Sequence, residues 1–191
     1  MAVFTIGERT PNPHIKESTL KYPYPKDLIN LIHYCCDKSR YTVFCNLYPL
    51  GVDGLINQML YLQNFTGKVF STRAIHYIMS IEYDELSQGK KFEQMKQIVN
   101  HINAFYFSNY QHLVCLHSDK DGRYDIHIII NPINIQTYNK YHCSPSDFKS
   151  MIDEIAVDLY LNHQIAIQSY SYITETGRMR FGNETYIYQN K

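Results

Sequence analysis

The sequence predicts an α/β fold, a two-layer sandwich of helices on a mostly antiparallel sheet. Three observations lead there. Short β-branched and aromatic runs with period-two alternation recur along the chain, separated by longer segments of helical spacing. Two of these runs, Leu113 to Asp119 and Tyr124 to Asn134, meet at Asp121-Gly122 and so read as a hairpin. Alternation within that hairpin sends Ile126, Ile128 and Ile130 to one face together with Val114 and Leu116, a wholly apolar surface for helices to cover.

The elements follow in order. Pro11, Pro13, Pro23 and Pro25 interrupt the first 25 residues, leaving a short strand near Val3 to Ile6 and then an extended segment. A helix begins near Pro25-Lys26-Asp27, with Leu28, Leu31, Ile32 and Cys35 as its apolar stripe and Tyr34 on the flank. Tyr41 to Leu47 reads as a strand, Gly51 to Asn64 as a helix, and Thr72 to Glu82 as a strand with His76, Ile78 and Ser80 on one face. Leu86 to Phe107 is a long amphipathic helix. Beyond the hairpin, Ser144 is an N-cap with Pro145 at the first helical position, and that helix runs to about Asn162. Ile165 to Thr174 and Thr185 to Tyr188 close the chain as strands around a turn at Gly177.

A chain of 191 residues can bury a core without disulfides or a structural metal. No apolar run approaches the roughly 20 residues that span a bilayer, and the first residues lack the basic start and apolar centre of a secretory signal. The expectation is a cytoplasmic protein with no membrane insertion. The five cysteines, Cys35, Cys36, Cys45, Cys115 and Cys143, are odd in number and form no Cys-x-x-Cys pair, which points to reduced thiols. Basic and acidic residues balance at 18 each, against nonspecific binding to DNA through bulk charge. The 18 tyrosines with no tryptophan suit base stacking as well as core packing.

The hairpin carries the most chemistry. His117, Asp119, Asp125 and His127 flank one turn, and the register decides whether they meet. A two-residue turn at Asp121-Gly122 sets His117 opposite Ile126 and mixes the faces. A three-residue loop, Asp121-Gly122-Arg123, sets His117 opposite His127 and Asp119 opposite Asp125, so all four side chains share one face. This second register is the expected one. The bland alternative is a sheet edge with a solvated polar face. Lys120 and Arg123 at the tip, and Ser71, Thr72 and Arg73 before the central strand, are candidate phosphate contacts.

Three segments in order resemble the mobilisation relaxases of the MobA-like MOBP class, within the HUH endonucleases. Leu28 to Ser39 is similar to the helix that carries the nucleophilic tyrosine, with Tyr34 in that position. Thr72 to Glu85 is similar to the family's strand and acidic turn, with His76 and Ser80 matching. His117 to Asn131 is similar to the His-x-Asp, loop, His-hydrophobic-His segment that ends in Asn, except that Asp125 stands where the family has the first histidine of the pair.

The resemblance implies an HUH relaxase fold with a five-stranded central sheet, one domain over residues 1–191 forming the N-terminal part of a longer bacterial protein. It implies a nick in single-stranded or hairpin DNA at an origin of transfer, with a 5′-phosphotyrosine link, during conjugative mobilisation of a plasmid or transposon. Auxiliary relaxosome and coupling proteins are the implied partners. The site set that follows has Tyr34 and Asp119 as catalytic residues, His117, Asp125 and His127 as metal ligands, and Ser71, Arg73, His76, Lys120, Arg123 and Asn131 as DNA contacts. An alternative makes His117 the base and adds His76 to the remaining ligands. A carboxylate at 125 tilts the metal toward Mn²⁺ or Mg²⁺. Two other readings stay open. One is a rolling-circle replication initiator using Tyr160 of Tyr160-Leu161-Asn162-His163, which lacks the expected lysine. The other is a noncatalytic DNA-binding module of the same fold.

Overall fold

A computed structural model describes residues 2–6, 22–68, 72–87, 89–118, 122–143, 145–165, 167–173 and 179–185. The described elements are β1 (Ala2–Ile6), α1 (Pro25–Asp37), β2 (Tyr41–Cys45), α2 (Gly51–Phe65), β3 (Ile75–Glu82), α3 (Lys91–Phe105), β4 (Tyr110–Ser118), β5 (Arg123–Asn134), α4 (Pro145–His163), β6 (Ile167–Ile173) and β7 (Met179–Thr185). The strands form one sheet in the order β2-β4-β5-β3-β1-β6-β7. Every neighbouring pair is antiparallel except β1 with β6.

The α/β class and the mostly antiparallel sheet hold. The sheet is broader than the five strands expected, because β6 adds to the outer side of β1 and carries β7 with it. The expected turn at Gly177 and most of the expected strand from Thr185 to Tyr188 lie outside the described residues, as does the Ser144 cap.

Strand parity decides the layers. Val114, Leu116, Ile126, Ile128 and Ile130 pack with Tyr77, Met79 and Ile81 against Met95, Ile98, Val99 and Ile102 of α3 and Ile152, Ile155 and Leu159 of α4. This is the apolar face read from the sequence. The other face is also covered. Leu113, Cys115 and Ile129 meet Leu28, Leu31, Ile32 and Cys35 of α1 and Leu55, Ile56 and Met59 of α2. Helices on both faces make three layers where two were expected, since β4 and β5 are apolar on both sides through Val114 to Leu116 and Ile128 to Ile130.

Two boundaries moved for local reasons. α3 starts at Lys91 rather than Leu86, after a single 3-10 turn at Tyr83–Glu85 and Gly89 at φ +80°, a conformation that stops a helix from running through. The hairpin register also differs from both considered above. His117 pairs with Asp125, Cys115 with His127, and Ser118 with Tyr124. The shift from the expected register is two residues, which preserves the faces. Register here is fixed by both edges of β5, because β3 simultaneously sets Ser80 opposite Asp125 and Glu82 opposite Arg123, and the Tyr83 amide donates to the Gly122 carbonyl at 2.8 Å.

Candidate active site

Three strands each bring one histidine to the face beneath α1 and α2. β5 contributes His127, β4 His117 and β3 His76, all buried. The His127 ring centre lies 4.2 Å from that of His117 and 5.1 Å from that of His76. His76 Nε2 and His127 Nδ1 are 2.9 Å apart, so one donates to the other when both rings are neutral.

Each outer histidine is oriented from behind. His76 Nδ1 is 3.0 Å from the Tyr22 hydroxyl. His117 Nε2 is 2.7 Å from the carbonyl oxygen of Cys35, and because a carbonyl can only accept, that nitrogen carries a proton. Burial holds the pKa of His117 below its ordinary value. The ring is therefore neutral at pH 7 and its Nδ1 keeps a lone pair. Burial, and then the like charges of His117 and His76, pull His127 down to about 3. A neutral imidazole whose second nitrogen donates to a carbonyl is the usual condition of a metal-ligating histidine.

Tyr34 completes the group from α1. The stripe of Leu28, Leu31, Ile32 and Cys35 buries one side of that helix, and Tyr34 on its flank stays 46% exposed. Its ring meets the rings of His117 and His127 edge-on, at centroid distances of 5.8 and 6.0 Å. The Lys38 ammonium, one helical turn on, sits 4.2 Å from the ring centre. A partly exposed phenol thus stands against the buried rings of His117 and His127.

Some donors at this site lie close enough together to share a divalent metal. Among the described residues Cys35, His76 and His127 offer ligand atoms all within 4.8 Å of one another. The Cys35 thiol is a poorer donor, since burial pushes its pKa far up and keeps it protonated.

The expected residues divide as follows. Tyr34, His117 and His127 come together. Asp125 lies on the same face opposite His117 and lends it negative potential, but its Oδ1 accepts from the Ser80 hydroxyl at 2.5 Å and pairs with Arg123 Nε at 3.2 Å. Arg73 donates to Gln63 Oε1 at 3.2 Å and is half-buried. Asp119, Ser71 and Lys120 lie outside the described residues. Two of the expected DNA contacts are buried. Asn131 is fully buried, its amide donating to the Met59 carbonyl and Gln111 and accepting from Gln63, so it ties α2 and β4 to β5. His76 is buried inside the histidine cluster. Sequence reasoning missed the Tyr22 contact, which no local pattern signals, and Lys38, which helical spacing from Tyr34 does.

Comparison with known proteins decides the family. The family described as Relaxase: MobA/VirD2-like, nuclease domain matches residues 34–165, well over half of the chain. The chain belongs to that family. The match spans Tyr34, His76, His117 and His127. Neither the curated proteins nor the solved structures give a match.

The relaxase domain also separates its candidate tyrosines. Tyr160 lies on α4, which packs against the opposite face of the sheet from the histidines. All five cysteines are free. Among the described residues no helix is long and apolar enough to cross a membrane.

Proposed function

We propose that this domain nicks single-stranded DNA at an origin of transfer by tyrosine transesterification, during conjugative mobilisation of a plasmid or transposon. The observation that carries the reading is the Tyr34 ring set against the His117 and His127 rings. Tyr34 is the nucleophile. Its oxygen bonds to the scissile phosphorus as the bond from phosphorus to the 3′ oxygen breaks. The products are a 5′-phosphotyrosine and a free 3′ hydroxyl, and the link is reversed when a 3′ hydroxyl attacks in turn.

The phenol has to give up its proton on attack, and Asp119 accepts it in this reading. His76, His117 and His127 are the donors favoured for a divalent metal, with Asp125 as the alternative third, and a metal held there would act as a Lewis acid toward the scissile phosphate. Imidazole-rich coordination tilts preference from Mg²⁺ toward Mn²⁺. Lys38 holds the Tyr34 ring through its face. Hairpin DNA, an auxiliary relaxosome protein and a coupling protein are the partners this role calls for.

Incubating wild type and Tyr34→Phe with single-stranded DNA of the element's own transfer origin and Mn²⁺ tests the proposal. A DNA-linked band that survives denaturing electrophoresis is expected for wild type only, with both proteins binding the strand equally. An equal band from the variant would refute Tyr34 as nucleophile.

A further inference from the structure

Away from the histidines, three aromatic rings stand together in solvent. Tyr61 and Phe65, one turn apart on α2, lie with ring planes 17° apart and centroids 6.2 Å apart, and Tyr138 meets Phe65 edge-on at 6.0 Å. They are 71, 66 and 45% exposed. Leaving contiguous aromatic surface in water is unfavourable for folding, so a patch of this kind marks a contact. The turn that presents Tyr138 is costly as well. Tyr138 sits at φ +56°, and Asn134 holds the turn by accepting the Gln136 and Thr137 amides at 2.9 Å each. A strained backbone so firmly tied down is a reason to look for function.

Cations border the rings. Lys68 donates to the Tyr138 carbonyl at 2.6 Å and to Asn139, and Lys140 feels both Arg73 and Lys68, whose like charges add to burial in lowering its pKa. Lys68 is thus held at the Tyr138 turn, with Lys140 two residues on and Arg73 near enough to Lys140 to repel it, in a chain of zero net charge. A run of hydrogen bonds links the helix that carries the patch to the histidine cluster. Gln63 of α2 donates to the Arg73 carbonyl at 2.8 Å, the Arg73 amide donates to the Tyr22 carbonyl, and the Tyr22 hydroxyl contacts His76.

We infer that Tyr61, Phe65 and Tyr138 form a base-stacking platform, and Lys68, Arg73 and Lys140 a phosphate track, for single-stranded DNA flanking the nick. This rests on the proposed function and adds to it a second binding subsite outside the reacting centre. Stacking on an aromatic face tolerates every base, while phosphates meet the cations. The platform therefore supplies affinity and holds the strand, and sequence choice comes from elsewhere.

The test uses the whole chain and a single strand of transfer-origin sequence, labelled for anisotropy and carrying 2-aminopurine at successive positions on either side of the nick. Tyr61 and Phe65 are exposed helix positions where alanine leaves folding intact. Phe65→Ala is expected to weaken binding roughly tenfold, to abolish 2-aminopurine quenching at one position, and to leave the adduct yield at saturating DNA unchanged. Phe65→Trp restores both signals. Lys68→Gln lowers the salt dependence of binding by about one counterion. Unchanged affinity and quenching in Phe65→Ala, with the wild type still forming its adduct on Tyr34, overturns the platform and leaves the nicking reading standing. Loss of self-association in that variant with intact DNA affinity overturns it equally, in favour of a protein contact. A wild type that neither binds the strand nor forms an adduct removes the proposed function, and the platform with it.

Discussion

His127 sits between two other imidazoles with its own pKa drawn down to about 3, and that gives the metal-free domain a distinct acid response. The unfolded histidine titrates near 6.5 while the folded one does not, so the unfolded chain binds the extra proton below that pH. Stability is therefore full above about 6.5 and falls as the pH drops, by up to about 1.4 kcal/mol per pH unit for this group. Denaturant titrations with a chelator present between pH 7 and 5 should show the fall, with a shallower slope in His127→Asn; identical slopes would contradict it. The third donor can be settled in the same way, by calorimetric Mn²⁺ titration. His76→Ala should weaken Mn²⁺ binding tenfold or more, and Asp125→Asn by less, because the Asp125 oxygen is already engaged by Ser80 and Arg123. The reverse order would restore Asp125 as ligand. His117 and His127 were legible in the sequence because they flank one turn in alternating strands. The place of His76 was not legible, because nothing local shows that its nitrogen meets His127. The burial of Asn131 was not legible either, because a buried tether and an exposed amide look alike in one dimension.

β5 shows what a pattern of alternation can and cannot specify. It fixed which residues share a face, since parity survives any even shift, and it left the pairing free to move by two residues. The register was decided by β3 on the far edge and by the Gly122 carbonyl, both remote from the turn chemistry. Asn131 performs the complementary task for α2, the helix that carries Tyr61 and Phe65. Asn131→Ala would remove the hydrogen bonds that Asn131 accepts from Gln63 and donates to the Met59 carbonyl and Gln111, and each such bond contributes about 0.5–1.5 kcal/mol net. Urea unfolding should show a loss in that range, with little change in DNA affinity per folded molecule. A stable variant that fails to bind DNA would keep Asn131 in the contact set. The second apolar face escaped the sequence reading for a related reason. Runs such as Ile128 to Ile130 are apolar at every position, so they mark strands buried on both sides without saying which helices cover them.

At the scale of the molecule, the sheet divides labour between its faces. Helices α3 and α4 close the wholly apolar side, while α1 and α2 leave room between them and the sheet for the histidines, Tyr22 and Tyr34. Tyr160 belongs to the first side, so Tyr160→Phe should leave adduct formation unchanged; its loss would revive the replication-initiator reading. Balanced charge means that affinity should depend on a structured, specific strand, and equal affinity for random single strands at moderate salt would contradict this. The central claim is that Tyr34 reacts with DNA beside a metal held by the histidines. It is tested most directly by incubating the protein with single-stranded transfer-origin DNA and Mn²⁺, digesting with protease and locating the nucleotide-bearing peptide by mass spectrometry. The mass should sit on Tyr34 and vanish when Mn²⁺ is chelated; a nucleotide carried by any other tyrosine, or none with any divalent metal, would contradict the account.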